Sequence, residues 1–441
     1  MIGFRLLPVA ILLAGQAAAQ LNKGSFRVEI KRQSSGTYPA LNGQPLKESD
    51  CKPEWKAALD AAIKAGKIPD IPPSSSVDGG TPTYPSSVVM KDVCNWSIDQ
   101  CQGPNDIHSS PDGWAAVNFD DGPTQATMRL NSFLVKNNIS ATRFLIGGQV
   151  AGFPEAFKDI LKDPNQQLAV HTYTHHQMTT LTSEQAVAEL GWTMQVILDM
   201  SGFLPTIWRG PTGDVDNRIR AIAEELFGLR HVSWNYDSND WCVSQGESVC
   251  PGETPGSTAD SVTAYIDKTM DGTKSPGVLM LEHELSDITV GFFEQHTWPG
   301  IQKNGWKHGN IGELQGQAWY ANAANSASSK TSVASVLKSG SAGAGAASGA
   351  AAKGGKGGKG PASNSTSAAT ADSPGGDSGG STSSSPSAQG SSGSAGAGSS
   401  STSSTTQAQG AKKSSASLPI MAPKALAFTL LKATAVLAVV L

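Results

Sequence analysis

Two adjacent carboxylates, Asp120 and Asp121, close the apolar run around Val117 and Phe119 and are followed at once by Gly122-Pro123. Neighbouring carboxylates repel one another and are costly to desolvate together unless a cation or a proton lies between them. Further along, His171 and His175 stand four positions apart, Arg209 precedes a Gly-Pro pair, Asp237 and Asp240 follow, and His283 closes another apolar run. Two imidazoles and one carboxylate form the borderline ligand set that suits zinc or a similar divalent ion, with one position left open for water. Water bound in that way has a pKa of roughly 7 and is a nucleophile at neutral pH. If one of the paired aspartates binds the ion, the other lies beside the water and can act as its base, and the distant His283 is free to be an acid. Metal, base, acid and arginine together point to hydrolysis of an amide or an ester. Taken singly each residue has a plainer reading, an Asp-Gly-Pro surface turn or a hydrogen-bonded core histidine.

What raises their weight is the elements that would carry them. The pattern predicts a strand over Ala115 to Phe119 that Gly-Pro terminates, leaving both aspartates at its carboxyl end. Thr124 is placed to cap a helix bearing Leu130, Phe133 and Leu134, and strand Ala141 to Ile146 follows. A helix around Glu155 to Leu161 leads to strand Gln167 to His171. Thr182 with Gln185 forms a capping box for a helix carrying Val187, Leu190, Met194 and Ile197, ended by Gly202. Then come strand Thr206 to Arg209, a helix over Asn217 to Phe227 closed by Gly228, strand Arg230 to Trp234, a helix over Thr258 to Met270, and strand Gly277 to His283. Repeated strand-helix alternation argues for an α/β fold with a parallel sheet, either open and doubly wound or a barrel, and six or so strands favour a distorted, incomplete (β/α) barrel. In such a barrel the strand ends open on one face, so residues more than 160 positions apart, such as Asp120 and His283, can share a pocket.

The rest of the 441 residues divides by composition. Residues 1 to 19 read as a secretory signal peptide, with Arg5 ahead of a short apolar run and Ala17-Ala18-Ala19 as cleavage site. Residues 20 to 111 read as an extension packed against the main domain, with one helix around Pro53 to Ala65, and the barrel is expected over 112 to 322. Residues 323 to 416, rich in Ser, Thr, Gly and Ala, read as a disordered stalk that cannot bury enough surface to offset its ordering entropy. Residues 417 to 441 read as a glycosylphosphatidylinositol attachment signal, with Ser414 as attachment position. Five cysteines in an exported chain imply two disulfides and one residue left over. Cys94 with Cys101 and Cys242 with Cys250 are the local pairings, though pairings through Cys51 are equally allowed by spacing. Asn95, Asn138 and Asn364 open glycosylation sequons. A net charge of −4 with no basic stripe argues against nucleic acid as a partner.

Five segments in order, Asn118-Phe119-Asp120-Asp121-Gly122-Pro123, His171-Thr172-Tyr173-Thr174-His175, Arg209-Gly210-Pro211-Thr212-Gly213, Asp237-Ser238-Asn239-Asp240-Trp241 and Leu281-Glu282-His283, resemble the motifs of the polysaccharide deacetylase (NodB homology) family, carbohydrate esterase family four. The exported, anchored layout is most similar to fungal chitin deacetylases within it. The resemblance covers roughly residues 113 to 300 and implies a distorted, incomplete barrel, one divalent ion, zinc or cobalt, and removal of N-acetyl groups from a β-1,4-linked glycan. It implies Asp121, His171 and His175 as metal ligands, Asp120 as general base oriented by Arg209, and His283 as acid with Asp240 holding its tautomer. The backbone N–H of Thr212 would meet the oxyanion, and Trp241 and Leu281 would wall the acetyl methyl. Thr212 stands where tyrosine is common, Asn118 where threonine is usual and His176 where proline often follows. The implied protein is a monomeric enzyme on the outer face of the plasma membrane and cell wall, acting on chitin or N-acetylglucosamine oligomers. Acetylated xylan or another acetylated glycan as substrate, and a non-catalytic wall protein that binds glycan, are the alternatives.

Overall fold

The computed structural model describes residues 38–77 and 79–341, all within the first of the two compact units into which the chain divides. Nine short strands carry the architecture: β1 (Trp114–Ala116), β2 (Asn118–Gly122), β3 (Ala141–Leu145), β4 (Gln166–Val170), β5 (Ile207–Trp208), β6 (Arg230–His231), β7 (Tyr236–Asp237), β8 (Val278–Leu281) and β9 (Lys307–Gly309). They form two sheets, one in the order β2-β3-β4-β5-β6 and one in the order β7-β8-β1-β9, and every paired strand runs parallel to its neighbour. No closed barrel forms among the described residues, so the distorted, incomplete barrel expected from the sequence is the architecture found.

The apolar run before the aspartates is not one strand. It breaks at Val117, with β1 in the four-stranded sheet and β2 in the five-stranded one, so this short stretch stitches the two sheets together. The strand also runs on through both aspartates to Gly122, with a register shift between Asp120 and Gly122. Gly122 has no space for a side chain, because a Cβ there would run into the Glu284 carboxylate. β7 and β9 are strands that sequence periodicity did not show, each too short for a period to register.

The helices follow their local signals more closely. α1 (Pro53–Lys64) starts on a proline and buries Trp55, Ala58, Leu59 and Ala62 on one face. α2 (Thr127–Lys136) begins later than expected, because Thr124 bonds elsewhere: its hydroxyl donates to the Glu284 carbonyl. α3 (Ser183–Ser201) has the Thr182/Gln185 capping box and ends at Gly202 in the left-handed conformation. Its Gly191 lets the Trp55 ring of α1 lie close, 2.7 Å from where a Cβ would be. α4 (Ala259–Met270) is capped by Thr258.

The extension is part of this fold. Tyr84 donates to Asp216 at 2.9 Å, Asn95 donates to Asp214 at 3.2 Å, and Trp96 packs on Trp234 with ring centroids 4.2 Å apart. The packed chain also runs past the expected boundary at residue 322: Val336 and Leu337 are buried in the core, two aliphatic side chains in a stretch whose composition otherwise reads as unstructured. Cys94 is bonded to Cys101 and Cys242 to Cys250, and Cys51 is free and buried. The sequon at Asn95 requires correction. That side chain is 1% exposed, caps Ile98 and donates to Tyr84 and Asp214, so a glycan on it has no room in the folded protein. Asn138 is exposed. Asn364, the signal peptide, most of the stalk, Ser414 and the anchor signal lie outside the described residues.

Candidate active site

Asp120 and Asp121 leave β2 in different directions because Asp121 adopts a left-handed conformation, φ 70°, while Asp120 stays in the ladder. Asp121 Oδ1 lies 3.2 Å from His171 Nε2 and 3.1 Å from His175 Nε2, and the three ligand atoms are all within 4.8 Å of one another. His171 follows β4 directly, and its Nδ1–H donates to the Arg209 carbonyl at 2.9 Å. A carbonyl only accepts, so the Nε2 lone pair is the one turned towards Asp121. That places lone pair against lone pair, and Asp121 Oδ1 is buried with no hydrogen-bond partner. A shared cation satisfies all three atoms, so the residues fit a divalent ion.

Asp120 is held from the other side. Arg209, wholly buried after β5, donates through Nη1 to Asp120 Oδ1 at 2.6 Å and to Asn118 Oδ1 at 2.8 Å. Its remaining nitrogens donate to the carbonyls of Val232 and Ser233, and the guanidinium lies over the Phe144 ring at 4.1 Å. A planar donor fixed on every edge cannot swing away, so the Asp120 carboxylate is held in one orientation.

The third group comes from the other sheet. His283 follows β8 and pairs with Asp120 in a parallel bridge. Its Nδ1–H donates to Asp240 Oδ1 at 2.7 Å, while its backbone N–H donates to Asp240 Oδ2 at 2.9 Å. One carboxylate therefore fixes both the tautomer and the backbone of this histidine. Burial would lower the His283 imidazole, but the Asp240 charge outweighs it and lifts the group to about 10. Thr212 sits in a left-handed turn, φ 55°, with an exposed side chain, Leu281 is buried and Trp241 is half-buried. Tyr173, Trp208 and Trp234 are core residues.

Residues 108–231 match the polysaccharide deacetylase family model, a span holding Asp120, Asp121, His171, His175, Arg209 and Thr212. That span is similar to polysaccharide deacetylases. The matched span stops short of Asp240 and His283, which the geometry alone brings to the same site. The chain is similar to chitin deacetylase 3 of Cryptococcus neoformans var. neoformans serotype D, 42% identical over 264 residues that make up 58% of this chain and 62% of that protein. Chitin deacetylase 1 of Cryptococcus neoformans var. grubii serotype A is 32% identical over 61% of this chain and 56% of that protein. The chain thus spans less than two thirds of the length of these curated relatives. A solved chitin deacetylase of Colletotrichum lindemuthianum aligns over 49% of this chain and 94% of that chain at 20% identity with a TM-score of 0.40, too low to add to the architecture described above.

Three supporting roles around the site were not legible in the sequence, that of Asn118 among them although the position itself was noted. Asn118 accepts from Arg209 and donates to the Met280 carbonyl at 3.0 Å, so it ties the base's partner to the second sheet. Glu284, next to His283, is fully buried and pairs with the equally buried Arg143 of β3, taking Nε at 2.9 Å and Nη2 as well. Glu189 of α3, also fully buried, faces the turn between the two histidines. Burial pushes its carboxyl up while the hydrogen bonds it accepts pull the other way. Their partners lie 141 and 91 positions away for Glu284 and Asn118, beyond any local period.

Proposed function

We propose that the protein is a metal-dependent chitin deacetylase, hydrolysing N-acetyl groups of chitin to give chitosan and acetate at the cell surface. The observation that carries this reading is the convergence of a cation-seeking trio with two separately held proton-transfer pairs on one face, Asp120–Arg209 and Asp240–His283. Asp121, His171 and His175 would hold the ion, zinc or cobalt. When bound, it supplies Lewis acidity to a water and to the acetyl carbonyl.

The chain's own groups do the rest. Asp120 takes the proton of the attacking water, and Arg209 holds that carboxylate in place to do so. The Thr212 N–H donates to the acetyl oxygen as charge develops on it. His283 gives its Nε2 proton to the glucosamine nitrogen as the C–N bond breaks, because an unprotonated amide anion is too basic to leave. Nδ1–H stays on Asp240 throughout, which makes Nε2 the atom that exchanges protons. Leu281 and Trp241 wall the acetyl methyl. Water adds to the acyl group, and acetate and a free amine leave.

Relatives named as chitin deacetylases support chitin over xylan as substrate. A glycan-binding wall protein is the weaker reading, since no member of the constellation is missing. Export, the stalk and the lipid anchor rest on composition alone. Acetate release from chitin oligomers, measured with and without a chelator, tests the reading. Release abolished by chelation and restored by zinc or cobalt is expected; release indifferent to chelation removes the metal mechanism, and none on any acetylated sugar favours the binding protein.

A further inference from the structure

Between the two histidines the chain reverses through two residues of positive φ, Thr172 at 62° and His175 at 61°. Neither has glycine's freedom, and left-handed backbone at residues carrying a Cβ persists only where the surroundings enforce it. Flanked by these two residues are Tyr173 and Thr174, whose N–H groups both donate to Oε2 of Glu189, at 2.9 and 2.8 Å. The other oxygen, Oε1, accepts from the Thr174 hydroxyl at 2.6 Å and from the Leu46 N–H at 3.0 Å. All four donors are neutral. A fully buried carboxylate satisfied by neutral donors alone is a costly feature for a helix to carry, and this one is spent on the turn that separates two metal-ligand positions. Leu46 belongs to the N-terminal extension, so the same carboxylate also fastens that segment to the turn. The Thr174 hydroxyl, having given its proton to Glu189, accepts from Nδ1 of His176 at 2.8 Å, which carries the order one residue past His175.

We propose that Glu189 is a positioning residue for metal binding: by gripping the two peptide groups between His171 and His175 it holds both imidazoles at the spacing a single divalent ion needs. It touches neither ion nor substrate and acts through the turn. The inference rests on the metal-dependent reading above, and its test separates the two.

Zinc affinity of the full chain is measured by competition with a chromophoric chelator, alongside the melting temperature of the metal-free protein. Glu189→Gln keeps the shape and puts an amide N–H₂ against donors. It is expected to weaken zinc binding about 10- to 100-fold, the range for loss of an outer partner of a metal ligand, with turnover recovering at saturating zinc. Val187→Ala opens a cavity in the same helix at a fully buried position that does not face the turn. It is expected to lower the melting temperature and leave zinc affinity unchanged. Thr174→Val keeps both N–H donors and loses one bond to Glu189, for a few-fold weakening, and decides the matter should Glu189→Gln not fold. Zinc affinity equal to wild type in Glu189→Gln, or reduced no more than in Val187→Ala, overturns the role of Glu189 while leaving the metal reading intact. A wild-type chain that binds no zinc overturns both.

Discussion

The site is shared between two sheets that hold their parts in different ways. On the five-stranded side, Arg209 is tied to Asp120 and to two backbone carbonyls, His171 is tied to a third, and Asp121, His171 and His175 face one another within reach of a single cation. On the four-stranded side, the acid has a single side-chain partner, Asp240, which takes both the ring and the backbone N–H of His283. The first arrangement fixes geometry by redundancy. The second fixes the proton affinity of one group, and leaves it dependent on one charge. Metal placement tolerates little freedom because several ligands must agree, whereas an acid needs a defined proton and a reachable nitrogen.

The largest break comes on the five-stranded side. Asp120→Asn removes the base without touching the trio, so turnover should fall by about 10²- to 10⁴-fold or more while zinc stays bound. His175→Ala should instead lose the metal. Zinc content measured beside kcat decides between them, and equal metal loss in both variants would mean that the roles of the two aspartates are misassigned.

On the four-stranded side Asp240→Asn should lower kcat by roughly 10²-fold and move the pH profile. With His283 lifted to about 10, its protonated form persists on the alkaline side, and the variant should lose that alkaline activity as the imidazole returns towards about 6.5. A cation on Asp121 removes one of the negative charges that raise His283, so the wild-type limb should fall between those values. The linked stability has a definite sign. The folded pKa lies above the unfolded one, so the contribution is complete below about 6.5 and is lost as pH rises through about 10. Melting temperatures of wild type and variant should therefore converge at the alkaline end, and a constant gap across pH would show that Asp240 does not act through the imidazole charge.

The bridge between the sheets gives a smaller functional effect and a plain structural one. Glu284→Ala leaves Arg143 buried without its partner and should cost about 3–5 kcal/mol in denaturant unfolding. Zinc affinity should move less than stability, because the trio has its own supports. Smallest is the glycan pattern: secreted from a eukaryotic host, the protein should carry sugar at Asn138 and none at Asn95, read by peptide mass mapping, with Asn138→Gln leaving kcat unchanged.

Much of the ladder of strands and helices was legible, because α1 starts on a proline, α3 and α4 carry their own caps, and all three have apolar residues at helical spacing. The expected start of α2 failed for a tertiary reason, since the Thr124 hydroxyl is drawn to the Glu284 carbonyl 160 positions away. The strand over Ala115 to Phe119 was read as one because a run of apolar residues looks the same whether it stays in one sheet or passes between two.

By itself the sequence determined which chemical groups exist and that they fall at strand ends, because residue type and local period are written in the chain. It also carried the disulfide candidates and the composition of the tails. Only the tertiary structure decided that Asp120 faces Arg209 while Asp121 faces the histidines, that Asn95 is a buried cap, and that Glu189 and Glu284 stand behind the site. Those outcomes depend on backbone handedness at single residues and on partners brought together by packing, and neither leaves a local trace.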